Sequence, residues 1–394
     1  MLFVSSVGQT FFIGIFGPSI RTEFNLTHAM WGGVYMAGTI MSAMILPFTG
    51  KKIDSMPLSK YVSYVLIGLF VASIFMSVIP SITFLILAVF LLRHFGQGLC
   101  SHIGSTTMAR YYPKNRGKAV AVASLGFSLA EAALPFLMIL LIATVGWRYA
   151  YLTAASSILI IFLPLCLLLL KGHHVRHAEY KALQEADPVN NASSWSRGDM
   201  LSDYRFYLLL PAMIAPHFIL TALFFHHLSF AELKGWDPTW FTASYWIYAM
   251  FSLITMLASG PLIDKFSAVK VLCTFLIPII LGLMLVWAFH NVWWAWVYLA
   301  LIGITSGITY TGLTVFWAEV YGVKHLGAIK STFGSLAVFA SALGPMIMGV
   351  IMDWGVSIEN ICLIFALYAM VATVLLVVAL QKMKFINLKK NNEY

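Results

Sequence analysis

Long runs of apolar residues, separated by short polar breaks, are the main pattern of the sequence. Most runs are about twenty residues long, the length that an α-helix needs to cross the hydrocarbon core of a bilayer. The runs predict twelve membrane-spanning helices, at residues 2–20, 30–49, 61–79, 82–108, 119–144, 149–170, 206–229, 239–262, 269–289, 293–317, 327–351 and 358–381. The predicted fold class is therefore an all-α membrane protein.

The longest polar stretch, residues 171–205, lies between the sixth and seventh predicted spans. It separates an N-terminal part, residues 1–170, from a C-terminal part, residues 206–381, which a polar tail at 382–394 follows. We therefore expect two six-helix bundles that are joined by a central loop.

The two halves repeat short motifs at a constant spacing. Gly50-Lys-Lys-Ile-Asp54 follows the second span, and Gly260-Pro-Leu-Ile-Asp264 follows the eighth span 210 residues later. Two further pairs have the same spacing, Gly117 with Gly327 and Pro135 with Pro345. Repeats on this scale predict two units of parallel topology.

Composition and charge agree with a membrane protein and predict its orientation. Of the residues, 60% are hydrophobic and 10% are charged, whereas about 25% are charged in soluble domains. Of 24 Lys and Arg residues, 20 fall in alternate loops and the tail. Arg21, Arg148 and Lys234 fall on the opposite side, and Arg93 lies within a span. Because cytoplasmic loops carry the basic excess, we expect both termini in the cytoplasm. The basic residues are accounted for by this bias, so we expect no nucleic-acid partner.

The sequence contains no pattern typical of a metal, cofactor or enzyme site. The four cysteines form no CxxC pair, and His173, His174 and His177 have no acidic or cysteine residue in a ligand pattern with them. No phosphate-binding loop is present, so we expect no ATP-driven step. An intramembrane enzyme needs a clustered nucleophile and base, which His94 and His102 do not supply. We therefore expect a protein that is not an enzyme and holds no cofactor.

Arg93 is a candidate substrate-binding residue in the middle of the fourth span. Gln97 follows it by four residues, which places both side chains on one helix face. The planar guanidinium of arginine binds a carboxylate or phosphate through two parallel hydrogen bonds. This pair therefore predicts contact with an anion. The alternative is a structural role, in which Arg93 pairs with Glu131 or with backbone carbonyls.

Glu131 is the acidic residue deepest within an apolar run. A charged side chain at mid-membrane costs about 2.5 to 3.5 kcal/mol on translocon scales for Asp, Lys or Arg, so such residues face a cavity or a partner. Ser124, Ser128 and Pro135 share its helix face. We interpret Glu131 as a proton-coupling residue whose access to water alternates. A permanent ion pair is the structural alternative.

Further polar residues within the spans are candidates for the lining of a substrate cavity. Ser and Thr in membrane helices commonly bond to backbone groups, so no one of them is decisive. As a set they predict a hydrated cavity with apolar walls and a few polar groups. The candidates are Gln9 in the first span, Tyr35 in the second, His217 in the seventh, and Tyr310 and Thr314 in the tenth.

Several motifs resemble those of the major facilitator superfamily. The loop after the second span is similar to that family's Gly-x-x-x-Asp motif through Gly50 and Asp54. The second copy matches it through Gly260, Asp264 and Lys265. The resemblance implies a rocker-switch transporter, in which these two loops bias the access states at the cytoplasmic face.

Two other stretches extend the resemblance over the N-terminal half. The segment Arg93-His-Phe-Gly-Gln97-Gly98 is similar to the superfamily's arginine and glycine motif on the fourth helix. The stretch Tyr111 to Ala119 resembles the loop entering the fifth helix in bacterial relatives of monocarboxylate and oxalate/formate transporters. This second resemblance implies a carboxylate cargo.

These observations predict a monomeric secondary transporter that moves a small organic anion together with protons across a lipid bilayer. The alternative within transport is a proton-driven exporter of drugs, metabolites or metal-chelating compounds of the siderophore type. Spans rich in aromatic residues and methionine would suit such a cargo, although these side chains more often only pack. A receptor or scaffold is a further alternative.

Overall fold

The computed structural model describes residues 1–50, 52–111, 116–173, 195–321 and 326–391. Within these ranges the regular elements are all helices. Helices satisfy every backbone N–H and C=O within one segment, which long apolar runs require in lipid. The side chains at positions 54, 109–121, 264, 314 and 383–394 are among those that are not described.

The long helices of the described chain, together with the short pieces that adjoin them, form twelve helical segments, numbered α1 to α12. In order they are α1 (Leu2–Ser5, Ser6–Gly8, Thr10–Ile15 and Gly17–Phe24), α2 (His28–Gly50), α3 (Leu58–Ser77), α4 (Ile82–Leu92, Arg93–Cys100 and Ser101–Tyr111), α5 (Arg116–Val145), α6 (Trp147–Ser157, Ile158–Phe162 and Leu163–Leu169), α7 (Tyr204–Phe225, extended by His227–Leu233), α8 (Pro238–Ala243 and Tyr245–Phe266), α9 (Ala268–Leu272 and Ile277–Ala288), α10 (Trp294–Tyr321), α11 (Leu326–Asp353) and α12 (Ile358–Asn391).

The first span differs from the uninterrupted helix that its apolar run predicts. Eleven helices in the described ranges are long and apolar enough to cross a membrane, and α1 is divided into pieces too short to be counted with them. The main break lies at Gln9, whose backbone is extended with φ −85° and ψ 158°. The polar pair Gln9 and Thr10 that interrupts the apolar run thus coincides with the break.

Clustering of backbone contacts divides the chain into two compact units. Unit 1 comprises Met1–Val189, Leu223–Trp246 and Pro345–Asp353, and unit 2 comprises Asn190–Ala222, Ile247–Gly344 and Trp354–Tyr394. Unit 1 therefore holds α1 to α6 together with one end each of α7, α8 and α11. The division at the central loop stays a sequence-based prediction.

A polar cluster in unit 1 holds the start of α6 against α1 and the end of α3. The guanidinium of Arg148 donates to the carbonyl oxygens of Ser77 at 2.8 Å and Ile79 at 3.0 Å, and it forms an ion pair with Glu23. The other carboxylate oxygen of Glu23 accepts a hydrogen bond from Trp147 Nε1 at 2.7 Å. Burial alone would raise the pKa of Glu23, but these hydrogen bonds and the charge of Arg148 hold it below its ordinary value.

Candidate functional site

Arg93 lies at the start of a π-helical segment in α4, Arg93–Cys100. Its side chain is buried in unit 1, with 2% of the residue exposed. A π-helical turn is rare, and such turns are frequent at functional sites because they redirect side chains. The arginine that the sequence places deep within a span therefore lies where the backbone of α4 becomes irregular.

A close crossing of α1 and α4 places a backbone carbonyl against Arg93. A Cβ on Gly8 would lie 2.1 Å from the carbonyl oxygen of Leu92, and a Cβ on Gly96 would lie 2.7 Å from the Cα of Gly8. Since no larger residue fits at either position without a shift, the two glycines allow the backbones to meet. Arg93 Nη1 donates to the Gly8 carbonyl oxygen at 3.1 Å as a result.

Tyr35 of α2 contacts the same guanidinium through its ring. The Cζ of Arg93 lies 5.0 Å from the centre of the Tyr35 ring, within the range of a cation–π interaction. The Tyr35 hydroxyl hydrogen-bonds to Thr10 Oγ1 at 2.5 Å, and Tyr35 is fully buried. Tyr35, a candidate from the sequence, thus contacts the candidate arginine itself.

The hydrogen-bonding capacity of Arg93 is largely unused. Its Nε is buried and has no hydrogen-bond partner. No carboxylate in the described part of the chain forms an ion pair with it, in contrast to Arg148. Because an unneutralised buried charge is costly, such a cation is typical of a place that receives an anionic group.

Glu131 is buried on the inward face of α5, also in unit 1, with 6% of the residue exposed. Pro135 is buried on the same face, whereas Leu129 and Leu137 are exposed on the other side of the helix. Within the described ranges Glu131 forms no ion pair, so it is not the partner of Arg93. A carboxyl without a cationic partner can exist in this position as a neutral acid.

Gln9 and Gln97 lie on the two helices that cross at Arg93. Gln9 Nε2 donates to Ser101 Oγ of α4 at 3.5 Å, which is a long hydrogen bond. Gln97 lies in the π-helical segment and is half-buried. Four predicted residues, Gln9, Tyr35, Arg93 and Gln97, therefore belong to one region of unit 1.

Three other candidates belong to unit 2. His217 of α7 packs with its ring 6.0 Å from that of Phe333, and its Nε2 has no hydrogen-bond partner. Tyr310 of α10 is 58% exposed. The side chain of Thr314 lies outside the described residues.

The repeated loop motifs lie at the ends of α2 and α8. Gly50 is the last residue of α2, and Gly260 lies in α8 with open space where a Cβ would be. The side chains of Asp54 and Asp264 lie outside the described residues. Lys265 is exposed, and its Nζ lies 5.2 Å from the centre of the Phe266 ring.

Sequence reasoning did not find the role of Gly8 and Gly96. Both glycines are visible in the sequence, but their contact joins two helices across 88 residues and depends on the angle and depth of the crossing. Glycines inside apolar spans are a general signal of close helix packing and do not name the partner.

Known protein structures share this architecture. A bacterial homologue of the human lysosomal transporter Spinster, in an inward-facing and occupied conformation, matches with a TM-score of 0.72 and 14% identity over 96% of this chain and 94% of that one. The nucleoside transporter NupG matches with a TM-score of 0.68 and 14% identity over 96% of this chain and 97% of that one. No curated protein sequence matches this chain.

The eleven long apolar helices of the described residues are those of a polytopic membrane protein. The family model of the Major Facilitator Superfamily matches residues 1–335 and 246–391. The chain belongs to this superfamily. It is therefore a transporter of a small-molecule substrate by alternating access, embedded in lipid, rather than an enzyme.

Proposed function

We propose that this protein is a secondary transporter that moves a small organic anion, of the carboxylate type, across the bacterial inner membrane in symport with protons. The observation that carries the proposal is the state of Arg93, which is buried, charged and without a carboxylate partner among the described residues. In this proposal the transporter works as a monomer with both termini in the cytoplasm.

The geometry around Arg93 supports an anion that binds at the edge of the guanidinium. The Cζ of Arg93 lies over the ring of Tyr35, and the Gly8 carbonyl accepts a hydrogen bond from one guanidinium nitrogen. The remaining N–H groups lie in the plane of the guanidinium, and a planar set of donors binds a carboxylate through parallel hydrogen bonds. Gln97 lies one turn further along α4 and would contribute a neutral hydrogen-bonding group.

Glu131 is the proposed site of the proton. A carboxyl buried without a cation is favoured in its neutral form, and in this proposal it releases the proton when water reaches it during the access cycle. Because Glu131 and Arg93 form no ion pair, proton and anion can bind to separate groups of unit 1.

The carboxylate class of the cargo also rests on the resemblance of the stretch from Tyr111 to Ala119 to transporters of monocarboxylates and of oxalate and formate. Its side chains lie outside the described residues. The Spinster homologue and NupG share the fold at 14% identity, which leaves the cargo of this chain open to a direct test.

A counterflow experiment in proteoliposomes tests the anion. Labelled small mono- and dicarboxylates are offered to the wild-type protein, to Arg93→Lys and to the matched control Arg148→Lys. Arg93→Lys keeps the charge but loses the planar set of donors, so we expect the KM for the anion to rise about 10- to 100-fold, as charged hydrogen bonds contribute about 1.5 to 3 kcal/mol. Folded Arg148→Lys should keep the KM.

Two outcomes would contradict the proposal. Full anion uptake by Arg93→Ala would exclude a binding role for Arg93. Efflux of a hydrophobic or metal-chelating compound, driven by an inward proton gradient and without carboxylate counterflow, would establish the alternative of a proton-driven exporter.

A further inference from the structure

The first turn of α2 obtains two of its hydrogen bonds from a residue 324 or more positions away in the chain. Thr27 caps the helix, and its Oγ1 accepts a bond from the Met30 backbone N–H at 3.2 Å. The backbone N–H groups of His28 and Ala29 donate to Asp353, at 3.0 Å to Oδ1 and 2.7 Å to Oδ2. Both oxygens of one carboxylate are therefore used at one helix N-terminus.

Asp353 is the last residue of α11, where a negative charge is unfavourable with respect to the dipole of its own helix. The N-terminus of α2 has the opposite partial charge and two N–H groups that need acceptors. The positive charge of Arg21 also acts on Asp353. The electrostatic free energy of the Asp353 carboxylate is consequently lower when the ends of α2 and α11 lie together than when they separate.

Two glycines let α2 and α11 approach closely enough for this contact. A Cβ on Gly349 would lie 2.5 Å from the carbonyl oxygen of His28. A Cβ on Gly32 would lie 2.6 Å from the Cα of Met346. The two backbones are therefore in close contact at His28, within the capped turn, and at Gly32, one turn further along α2.

The same region of unit 1 contains further contacts between the sequence halves. His226 Nε2 hydrogen-bonds to the Pro345 carbonyl oxygen at 2.8 Å. Arg21 Nη1 donates to Ser229 Oγ at 3.3 Å, and the rings of Trp31 and Phe225 stack with centres 5.2 Å apart. We term the end of α1, the start of α2, the extension of α7 and the end of α11 the outer ends. The distribution of basic residues among the loops predicts that they lie outside the cell.

We propose that Asp353 is the latch of an outer gate: its carboxylate caps α2 while the outer ends are together, and this capping must be released for the transporter to open outward. Alternating access requires that contacts between the two sequence halves at one end break when that end opens. The proposal does not depend on the identity of the cargo or on proton coupling.

Distance measurement on the full-length protein in nanodiscs tests the latch. Spin labels are placed at Thr22 and Leu233, which are exposed outer-end positions on α1 and on the extension of α7. The four native cysteines are first changed to Ser. Asp353→Asn removes the charge that favours the N-terminus of α2, so we expect the ratio of long to short distances to rise about 5- to 30-fold.

Asp237→Asn is the matched control. Asp237 also caps a helix, but it accepts its bond from the Trp240 N–H, three residues further along the same segment, at 2.6 Å. This variant should leave the distance distribution unchanged. An equal shift in Asp237→Asn, or an unchanged distribution in folded Asp353→Asn, would overturn the proposal.

Gly349→Ala is a second and independent variant. The added methyl group would collide with the His28 carbonyl, so it should favour the long distances although Asp353 is intact. If Asp353→Asn does not fold, as judged by size-exclusion chromatography, Gly349→Ala decides alone. An unchanged distribution in this variant would then exclude the latch.

Discussion

At the scale of the residue, Arg93 and Arg148 show how hydrogen bonding separates two roles of buried or half-buried cations. Arg148 donates to two carbonyl oxygens and pairs with Glu23, so its position is explained by the packing of α1, α3 and α6. Arg93 has one such bond and an unpartnered Nε. The difference, rather than the presence of arginine in a helix, marks Arg93 as the candidate for a ligand.

Substitutions of Tyr35 test whether its cation–π contact with Arg93 contributes to anion binding. Tyr35→Phe keeps the aromatic face and should change the KM of anion counterflow less than about threefold. Tyr35→Leu removes a cation–π contact worth about 0.5 to 2 kcal/mol, which corresponds to an increase in KM of about 3- to 30-fold. Equal KM values for the two folded variants would show that the ring face does not matter.

The proposed role of Glu131 in proton coupling is tested by measuring anion exchange and uphill anion accumulation separately. Glu131→Gln cannot release a proton but keeps most of the side-chain shape. We expect counterflow of the anion without a gradient to persist, and uphill accumulation driven by a pH gradient to be lost. Accumulation at the wild-type level in Glu131→Gln would remove Glu131 from the coupling step.

At the scale of the element, the crossing of α1 and α4 depends on backbone contact. The break at Gln9 and the π-helical segment Arg93–Cys100 are both irregular pieces of helix, and they meet at Gly8 and Gly96. Irregular backbone within a membrane is tolerated where protein surrounds it or where it borders a cavity. This crossing therefore sets the position of the Arg93 side chain.

Gly8→Ala tests the crossing directly. The added methyl group has no room beside Leu92, and overpacking of this kind costs about 1 to 3 kcal/mol. We expect a lower apparent Tm in detergent. Gly33→Ala is the control, because nothing lies within 4 Å of its Cβ position and alanine favours a helix. A Tm of Gly8→Ala equal to that of the wild type would contradict the close crossing.

At the scale of the whole molecule, orientation follows from the distribution of basic residues. The 20 basic residues in alternate loops and the tail predict that Thr22 and Leu233 face the outside and that the C-terminus faces the cytoplasm. Single cysteines at Thr22 and Leu233 should react with an impermeant maleimide added to intact cells. A fluorescent protein fused to the C-terminus should fold in the cytoplasm. Labelling only after cell lysis would reverse the predicted orientation.

Much of the architecture was readable from the sequence because lipid restricts the choices. A run of about twenty apolar residues has to form a helix, since no water is present to satisfy its backbone groups. The chemical candidates Arg93 and Glu131 were visible for the same reason, because charged residues are costly in such runs. The break at Gln9 was not predicted, because the apolar run at residues 2–20 was expected to form one helix.

The tertiary structure alone decided which groups meet. The sequence left Glu131 and backbone carbonyls as possible partners of Arg93, and the partner is the carbonyl of Gly8. In the sequence Asp353 is an ordinary acidic residue at the end of a span, but in the structure it caps α2, which lies more than 320 residues earlier in the chain. By itself the sequence determined the helices, through the cost of unsatisfied backbone groups in lipid, and predicted their direction from the basic residues in the loops. Contacts across 85 or 325 residues depend on helix crossings that no local pattern encodes.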